Sequence, residues 1–351
     1  MAKPRYQQVD LDVCTHYHLI SRTVRQEMLF GGQYEHRKDW LEARLEVLST
    51  VFTIHIINYS IMANHLHLLV KVDRDKALTL SDKEVLLRWS SIHPPENVDL
   101  NDDQARQEWI DQELEENGER IAKLRHRLYD MGWLMKELKE PLARIANGED
   151  GCSGHFWDGR YKSIAIMDMF ALLATAIYIE LNPIAAGVAT LPENSRHTSM
   201  KQRIDFFREH GKLDQVRQSM HGNDADRRAV SQLEAEFWLM PIEDRRDRLD
   251  PSDYSTRAGA FDSMSFGKFL MLAEAIGKMK RKEKVQIDPD IVPIFDRLGI
   301  EPEPFCTTVC RMAGRCDLRG NAFAGDRSHL IPLIKARQQK HTVNLGVSKP
   351  H

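Results

Sequence analysis

Two β-rich runs separated by only three residues constrain the fold of this chain more than any other feature. Residues 51–61 and 65–72 are rich in strand-forming side chains, and Met62, Ala63 and Asn64 lie between them. Two strands joined by so short a connection pair side by side as an antiparallel hairpin. The sequence therefore predicts a hairpin here.

The segments around the hairpin predict an α+β core. Residues 12–20 alternate and are rich in strand-forming types, and residues 36–50 show the three-and-four spacing of an amphipathic helix. A second helix is predicted from about residue 133 to 146, followed by a fourth strand at 160–166. The resulting order, β-α-β-β-α-β, predicts a ferredoxin-like fold with an antiparallel sheet.

Two further segments are expected outside this core. The 351 residues exceed a typical single domain. We expect the core domain to occupy residues 1–200, with a helical acidic insertion at about 76–130. Residues 201–260 are then expected to form a charged helical connector, and residues 261–351 a basic, mainly helical C-terminal region.

The net charge of −3 conceals a strong asymmetry along the chain. Residues 96–119 contain ten acidic side chains and one basic, whereas residues 301–351 contain eight Lys or Arg and four acids. A basic run, Lys280, Arg281 and Lys282, precedes this tail. Basic tails contact phosphates, although such runs are also typical of solvated helices. The C-terminal region is therefore a candidate for nucleic-acid binding.

Composition and cysteine content indicate the compartment. An apolar content of 42% is ordinary for a globular protein. The first residues lack the apolar stretch of a secretory signal, and no apolar run approaches membrane-spanning length. Five scattered cysteines, an odd number, argue against a disulfide framework. We expect a cytoplasmic protein with no membrane partner.

Two pairs of polar side chains are candidates for a reactive site. Residues two apart on a strand share a face, so His65 and His67 converge while Leu66 points the other way. Residues four apart on a helix share a face, which places Tyr178 and Asn182 together on a later helix. The site would combine two imidazoles, a phenol and a carboxamide.

Each of these residues also has a purely structural interpretation. A lone His-x-His on a strand is often incidental, and Tyr178 follows an apolar helical run that is typical of a core aromatic. Asn182 precedes a proline, a position typical of a helix end. In the predicted sheet the first and third strands are neighbours, so His16 or His18 can also approach the histidine pair.

Together the four residues match the chemistry of phosphodiester cleavage by a tyrosine. The phenol has an ordinary pKa of about 10 and needs an electrophile that neutralises the phosphate. A divalent ion held by His65 and His67, with an oxygen ligand from Asn182, would supply it. Mixed nitrogen and oxygen ligation with open positions fits Mg²⁺ or Mn²⁺, although zinc also binds such a site.

Three blocks in order resemble a known family. They are YSIMANHLHLLV at residues 59–70, GHFWDGRYKS at 154–163 and YIELNP at 178–183. They resemble the His-hydrophobic-His, Trp-x-x-Arg-Tyr and tyrosine-helix blocks of single-tyrosine HUH transposases, especially the REP-associated tyrosine transposases. The first strand, with Tyr17 and His18, is also similar, and the resemblance extends over roughly residues 10–200.

The resemblance implies a role for each candidate residue. His65 and His67 would bind Mg²⁺ or Mn²⁺, Asn182 would be the third ligand, and Tyr178 the nucleophile. Tyr161 is the rival tyrosine, but it lies in the predicted fourth strand and matches the family's non-catalytic aromatic. The implied enzyme cleaves single-stranded DNA beside hairpin or palindromic repeats through a 5′-phosphotyrosine and transfers the strand. Related enzymes work as monomers or dimers, so a homodimer is also possible.

Basic side chains at two places are expected to contact DNA. Those near the predicted core are Arg22, Arg25, Arg160 and Lys162, and those in the extension are Lys280, Arg281 and Lys282. The acidic insertion and the extension beyond residue 200 depart from compact members of the family, which puts target choice in more doubt than chemistry.

Two alternative functions remain, and one possible metal site is disfavoured. The first alternative is a non-catalytic DNA-binding protein or repressor derived from a transposase, and the second is a zinc hydrolase built on the two histidines. Cys306, Cys310 and Cys316 lack the paired spacing of common zinc modules, so helix packing is the favoured interpretation of these cysteines.

Overall fold

The computed structural model describes residues 9–220, 224–246 and 258–279, and the backbone of two short strands at 323–325 and 343–344. The chain combines a mostly antiparallel sheet with many helices, which confirms the α+β class. Among the helices described, none is both long and apolar enough to cross a membrane.

Four strands form the antiparallel part of the main sheet in the order β2-β3-β1-β4. Two short strands, β7 and β8, extend it beyond β4 in parallel, and β5 and β6 pair separately. The strands are β1 His16–Arg22, β2 Ile54–Ile61, β3 His65–Val72, β4 Lys162–Ile166, β5 Glu243–Asp244, β6 Phe261–Asp262, β7 Phe323–Gly325 and β8 Val343–Asn344.

Twelve α-helices are present in the described part of the chain. They are α1 His36–Val51, α2 Arg74–Thr79, α3 Asp82–Ser90, α4 Asp103–Glu116, α5 Gly118–Arg127, α6 Met131–Glu149, α7 Met169–Glu180, α8 Asn182–Ala185, α9 Ser199–Glu209, α10 Leu213–Ser219, α11 Asp224–Glu236 and α12 Phe266–Lys278. The predicted β2–β3 hairpin is confirmed, with Met62 N–H donating to the His65 carbonyl across the turn.

The chain divides into two compact units. The first comprises Met1–Lys38, Ile56–Val70 and Trp157–His351, and the second Asp39–His55 and Lys71–Phe156. The segment expected to form an acidic insertion, 76–130, falls within the second unit. The domain boundaries placed at residues 200 and 260 stay predictions.

The core of the first unit is built around α7, which is apolar over almost its whole length and completely buried from Ala171 to Glu180. One side of this apolar core consists of sheet residues that include Ile20 and Ile164. Helices α9 to α12 contribute residues such as Phe207. A helix that is apolar all round is stable only when neighbours cover every face. The sheet and the later helices provide that cover.

The second unit is organised around helices α2 to α6. Helix α3 begins with a capping box, in which Ser81 and Glu84 exchange hydrogen bonds with each other's backbone. Glu137 in α6 is buried and pairs with Arg44 and with His93. Buried charge of this kind needs a partner, and here it has two.

Candidate active site

Adjacent strands bring three histidines together on one face of the sheet. Strand β1 lies beside β3, and Nε2 of His18 is 2.9 Å from Nδ1 of His67. Their rings stack with centroids 5.0 Å apart, and the rings of His65 and His67 lie 4.9 Å apart at right angles. The predicted convergence of His65 and His67 is therefore present, with His18 as a third member. Nδ1 of the nearby His16 lies 3.4 Å from Oγ1 of Thr15.

The ring of His65 is oriented by the residue before it. Nδ1 of His65 is 2.7 Å from Oδ1 of Asn64, and the Asn64 amide nitrogen donates to the Gln26 carbonyl at 2.9 Å. Because a carboxamide oxygen only accepts, Nδ1 of His65 carries the proton and Nε2 carries the lone pair. The imidazole thus presents Nε2 as a ligand atom.

Burial keeps the three imidazoles uncharged at neutral pH. It lowers the pKa of His18 from 6.5 to about 3 and that of His65 to about 4, where the charge of Arg22 adds to the effect. The pKa of His67 lies well below 6.5 for the same main reason, burial, to which the neighbouring His65, His18 and Arg22 add. Neutral imidazole is the form that binds a metal ion.

Three ring nitrogens of this cluster lack a hydrogen-bond partner among the described residues, namely Nδ1 of His18 and Nε2 of His65 and His67. Nε2 of His65 and Nε2 of His67 are buried and, within the described residues, accept or donate no hydrogen bond. Buried polar atoms are normally paired, so such atoms call for an explanation. Two neutral imidazoles with unpaired nitrogens on neighbouring rings fit the ligand set expected for a divalent ion.

Helix α7 places Tyr178 against this cluster. The helix begins at the N-cap Asp168, whose carboxylate accepts from Ala171 N–H at 2.7 Å. The buried Tyr178 ring lies 5.6 Å from the His67 ring and 6.2 Å from the His18 ring, edge-on to both. The helical path continues through Leu181 into α8, which puts Asn182 one turn beyond Tyr178.

Asn182 is also buried, and its amide nitrogen has no hydrogen-bond partner among the residues that the structure describes. A carboxamide can present either its nitrogen or its oxygen, and the oxygen is the atom that binds hard cations. The residue type and burial of Asn182 therefore suit a third ligand on the same helical face as Tyr178.

Glu180, between Tyr178 and Asn182, is not among the residues that the sequence predicts for the site. Its carboxylate accepts from the Asn58 amide at 2.6 Å, from the Ser199 hydroxyl and from Met200 N–H at 3.1 Å. Burial nonetheless raises its pKa from 4.5 to about 7. The available signal was an acid inside an otherwise apolar helix, which needs partners when buried.

Basic residues cluster at the end of the sheet where β3 begins. In the β1–β4 register Ile20 lies opposite Lys162, and Asp158 N–H donates to the Arg22 carbonyl at 2.8 Å. Thr23 N–H donates to the Asn64 carbonyl, which brings the same end of β1 to His65. Arg160 is exposed two residues before Lys162, and Arg25 is exposed three residues after Arg22.

Six of the residues singled out in the sequence fall outside the described residues. They are Lys280, Arg281, Lys282, Cys306, Cys310 and Cys316.

Comparison with known proteins gives one distant match. No family model matches the sequence, and no curated protein matches it. A solved structure of a REP-associated tyrosine transposase bound to a REP hairpin is similar at 13% sequence identity and a TM-score of 0.34. The similarity covers 58% of this chain and 86% of that chain.

Proposed function

We propose that the protein is a metal-dependent endonuclease and strand transferase that acts on single-stranded DNA with Tyr178 as its nucleophile. One observation carries the proposal. A tyrosine ring lies 5.6 Å from a buried, neutral imidazole, and the Nε2 atoms of that imidazole and of its neighbour have no hydrogen-bond partner in the described part of the chain. If these positions served only to pack the core, apolar side chains would fill them without the free-energy cost of burying unpaired polar atoms.

The fold supports the same proposal. The strand order β2-β3-β1-β4 is compatible with the ferredoxin-like sheet that we propose from the β-α-β-β-α-β pattern of the sequence. In this arrangement the third strand is central, and His65 and His67 lie on it next to β1. The three sequence blocks that resemble HUH transposases cover the end of β2 with most of β3, the start of β4, and the end of α7 with the start of α8.

The proposed metal ligands are His65, His67 and Asn182. The chemistry of this set, two neutral nitrogens and one carboxamide oxygen, suits Mg²⁺ or Mn²⁺. When bound, such an ion would withdraw charge from the scissile phosphate and orient it.

Tyr178 performs the bond exchange in the proposed reaction. Its Oη attacks the phosphorus, the Oη–P bond forms, and the bond from phosphorus to the 3′-oxygen breaks. The tyrosine loses its proton to solvent, and the leaving oxygen gains one to become a 3′-hydroxyl. Attack by another 3′-hydroxyl on the 5′-phosphotyrosine reverses these changes and reseals DNA, so no nucleotide cofactor is needed.

Basic side chains at the β3 end of the sheet are proposed to hold the strand. Arg22 lies close enough to His65 to lower its pKa, and Lys162 stands beside Ile20 in the neighbouring strand. Together with the exposed Arg25 and Arg160, these residues place several cations at the end of the sheet where β3 begins, available for phosphate contact. The proposed substrate, by the motif resemblance, is a single strand next to a hairpin or palindromic repeat.

A covalent trapping experiment tests the function. The full chain is incubated with end-labelled single-stranded DNA carrying hairpins from the neighbourhood of its own gene, with Mn²⁺ or with EDTA, and run on a denaturing gel. We expect an adduct that requires the metal and disappears in Tyr178→Phe. The control Tyr161→Phe removes the rival phenol and is expected to leave the adduct in place.

The same gel separates the alternatives. Binding of these DNAs without an adduct would favour a non-catalytic DNA-binding protein. An adduct that is lost in Tyr161→Phe but kept in Tyr178→Phe would show that Tyr161, and not Tyr178, is the nucleophile. Zn²⁺-dependent cleavage that survives in Tyr178→Phe would favour a zinc hydrolase.

A further inference from the structure

The second ring nitrogen of His67 is bonded to another imidazole. Nδ1 of His67 lies 2.9 Å from Nε2 of His18, and both side chains are buried. The corresponding nitrogen of His65 faces a carboxamide oxygen, that of Asn64. The Nδ1 atoms of the two histidines in the motif therefore have different hydrogen-bond partners. The partner of His67 is a residue from a different strand.

An imidazole partner leaves the position of the shared proton open, whereas a carboxamide oxygen does not. Either His67 Nδ1 donates to His18 Nε2, or His18 Nε2 donates to His67 Nδ1. In neutral His67 the second arrangement places the other proton on Nε2 and blocks that atom as a ligand. The first leaves a lone pair on His67 Nε2, for which the described residues offer no hydrogen-bond partner.

His18 is held so that it can act only on His67. In the described part of the chain, its Nδ1 has no hydrogen-bond partner, so the polar contact of the ring is the one with His67. Its backbone is fixed in the middle of β1, opposite Ile164 of β4, and the Tyr178 ring lies edge-on at 6.2 Å. A ring packed in this way has little freedom to turn away.

We propose that His18 is a positioning residue that accepts a hydrogen bond from His67 Nδ1 and thereby keeps His67 Nε2 available to a divalent ion. The inference rests on the proposed function, since it takes His67 as a metal ligand. Groups behind a metal-binding histidine normally fix its tautomer and ring orientation. In this protein the group is a second histidine on the neighbouring strand.

Metal affinity tests the inference without reference to DNA cleavage. Mn²⁺ binding to the full chain is measured by titration calorimetry for the wild type, His18→Leu and His18→Gln. We expect His18→Leu to weaken binding about 10–100-fold, the usual effect of removing a group behind a metal ligand. Gln can place an acceptor oxygen near the position of Nε2, so His18→Gln is expected to restore most of the affinity.

The matched control is His16→Leu, which removes an imidazole from the same strand and the same face, with its Nδ1 beside Thr15. We expect it to bind Mn²⁺ as the wild type does. Unchanged affinity in His18→Leu, or an equal loss in His18→Leu and His18→Gln, would overturn the role of His18 while leaving the metal site intact. A wild type that binds no Mn²⁺ would overturn the proposed function as well.

A measurement on the wild type covers the case in which His18→Leu does not fold. The full chain with ¹⁵N-labelled histidine is loaded with Zn²⁺, a diamagnetic probe that binds imidazole. Imidazole ¹⁵N shifts are expected to show His67 protonated at Nδ1 and metal-bound at Nε2. A proton on His67 Nε2, or metal bound at Nδ1, would contradict the inference.

Discussion

Burial determines the protonation state of the ionisable side chains beside the sheet. It lowers the pKa of His18 to about 3 and raises that of Glu180 to about 7 and that of Cys14 to about 11. Bases and acids move in opposite directions because burial penalises the charged form of each. The result is a set of neutral nitrogens next to Tyr178, as metal ligation requires.

Cys14 gives a test of this effect away from the histidine cluster. Its thiol is buried, with Sγ 3.1 Å from the His16 carbonyl and 3.0 Å from the Ile166 carbonyl. The thiolate is the reactive form, so raising the pKa from 9.0 to about 11 suppresses alkylation. We expect iodoacetamide to modify Cys14 much more slowly in the folded protein than in urea, from neutral pH up to about pH 10.

Peptide mass spectrometry measures the reaction, with the exposed Cys152 as the internal control. Because the folded state holds the Cys14 proton more tightly than the unfolded state, this group stabilises the fold below pH 9. Its contribution is lost as the pH rises through about 11. Native Cys14 that reacts as fast as Cys152 would contradict the assigned burial.

Individual site residues differ in how far the sequence could predict them. The convergence of His65 and His67 follows from strand periodicity, which is local, and the structure contains it. The sequence left His16 and His18 as equal candidates, because their distance from β3 depends on strand register rather than on local pattern. Only the assembled sheet shows that His18 bonds to His67.

At the scale of elements, the helix that carries Tyr178 is fixed at both ends. Asp168 caps its first turn, and Glu180 near its last turn accepts hydrogen bonds from Asn58 of β2 and from the start of α9. Glu180 thus links three elements at the position between Tyr178 and Asn182. Its carboxyl group also lies at the N-terminus of α9, where the helix dipole favours the charged form.

We expect Glu180→Ala to destabilise the fold strongly. The change leaves the Ser199 hydroxyl and Met200 N–H without their acceptor in a buried place, and the Asn58 amide keeps only its contact with Ser199 Oγ at 3.3 Å. Each unpaired buried group costs about 1–3 kcal/mol, so a loss of roughly 2 kcal/mol or more in the free energy of unfolding is expected. Urea denaturation followed by circular dichroism measures it.

The control for this variant is Glu209→Ala, which removes an exposed glutamate from the last turn of α9. Its effect is expected to stay within about 0.5 kcal/mol. Equal stability of the two variants would show that the Glu180 network contributes nothing to the fold.

The bounds of the elements show where local pattern succeeds. Strand β3 has the predicted limits, His65–Val72, whereas β2 begins at Ile54 rather than at residue 51. Helix α1 continues to Val51, and Thr53 N–H donates to the Leu128 carbonyl outside the sheet. Val51, Phe52 and Thr53 favour strands by residue type, but the competing helix and this long-range hydrogen bond decide their structure.

At the scale of the whole molecule, the described residues beyond 200 share one apolar cluster with the sheet and α7. The cluster extends from Ile20 through Ile177 to Phe207, Val230 and Ile276. The helical pattern of residues 200–240 is readable from the sequence, and α9 to α11 lie there. Their burial is not readable, because Arg203 and Glu234 look like surface charges until the fold pairs them.

Arg203 joins these helices to the edge of the sheet. Its guanidinium donates to Glu234 at 3.0 Å, to the Ile57 carbonyl of β2 at 3.1 Å and to the Met240 carbonyl at 2.6 Å. Both charged side chains are fully buried, at 1% and 0% exposure. A buried pair of this kind adds little net stability, but removing one partner leaves the other charge without compensation.

Arg203→Met is therefore expected to lower the free energy of unfolding by about 3–5 kcal/mol. The double variant Arg203→Met/Glu234→Leu leaves no buried charge unpaired and is expected to recover part of that loss. The recovery is incomplete because Ile242 N–H loses its acceptor Glu234. Arg208→Met, which removes an exposed partner of Asp205 from the same helix, is the control and should cost less than about 1 kcal/mol. Urea denaturation of the full chain measures all three. A single variant no less stable than the control, or a double variant less stable than Arg203→Met, would show that the pair does not hold these helices to the sheet.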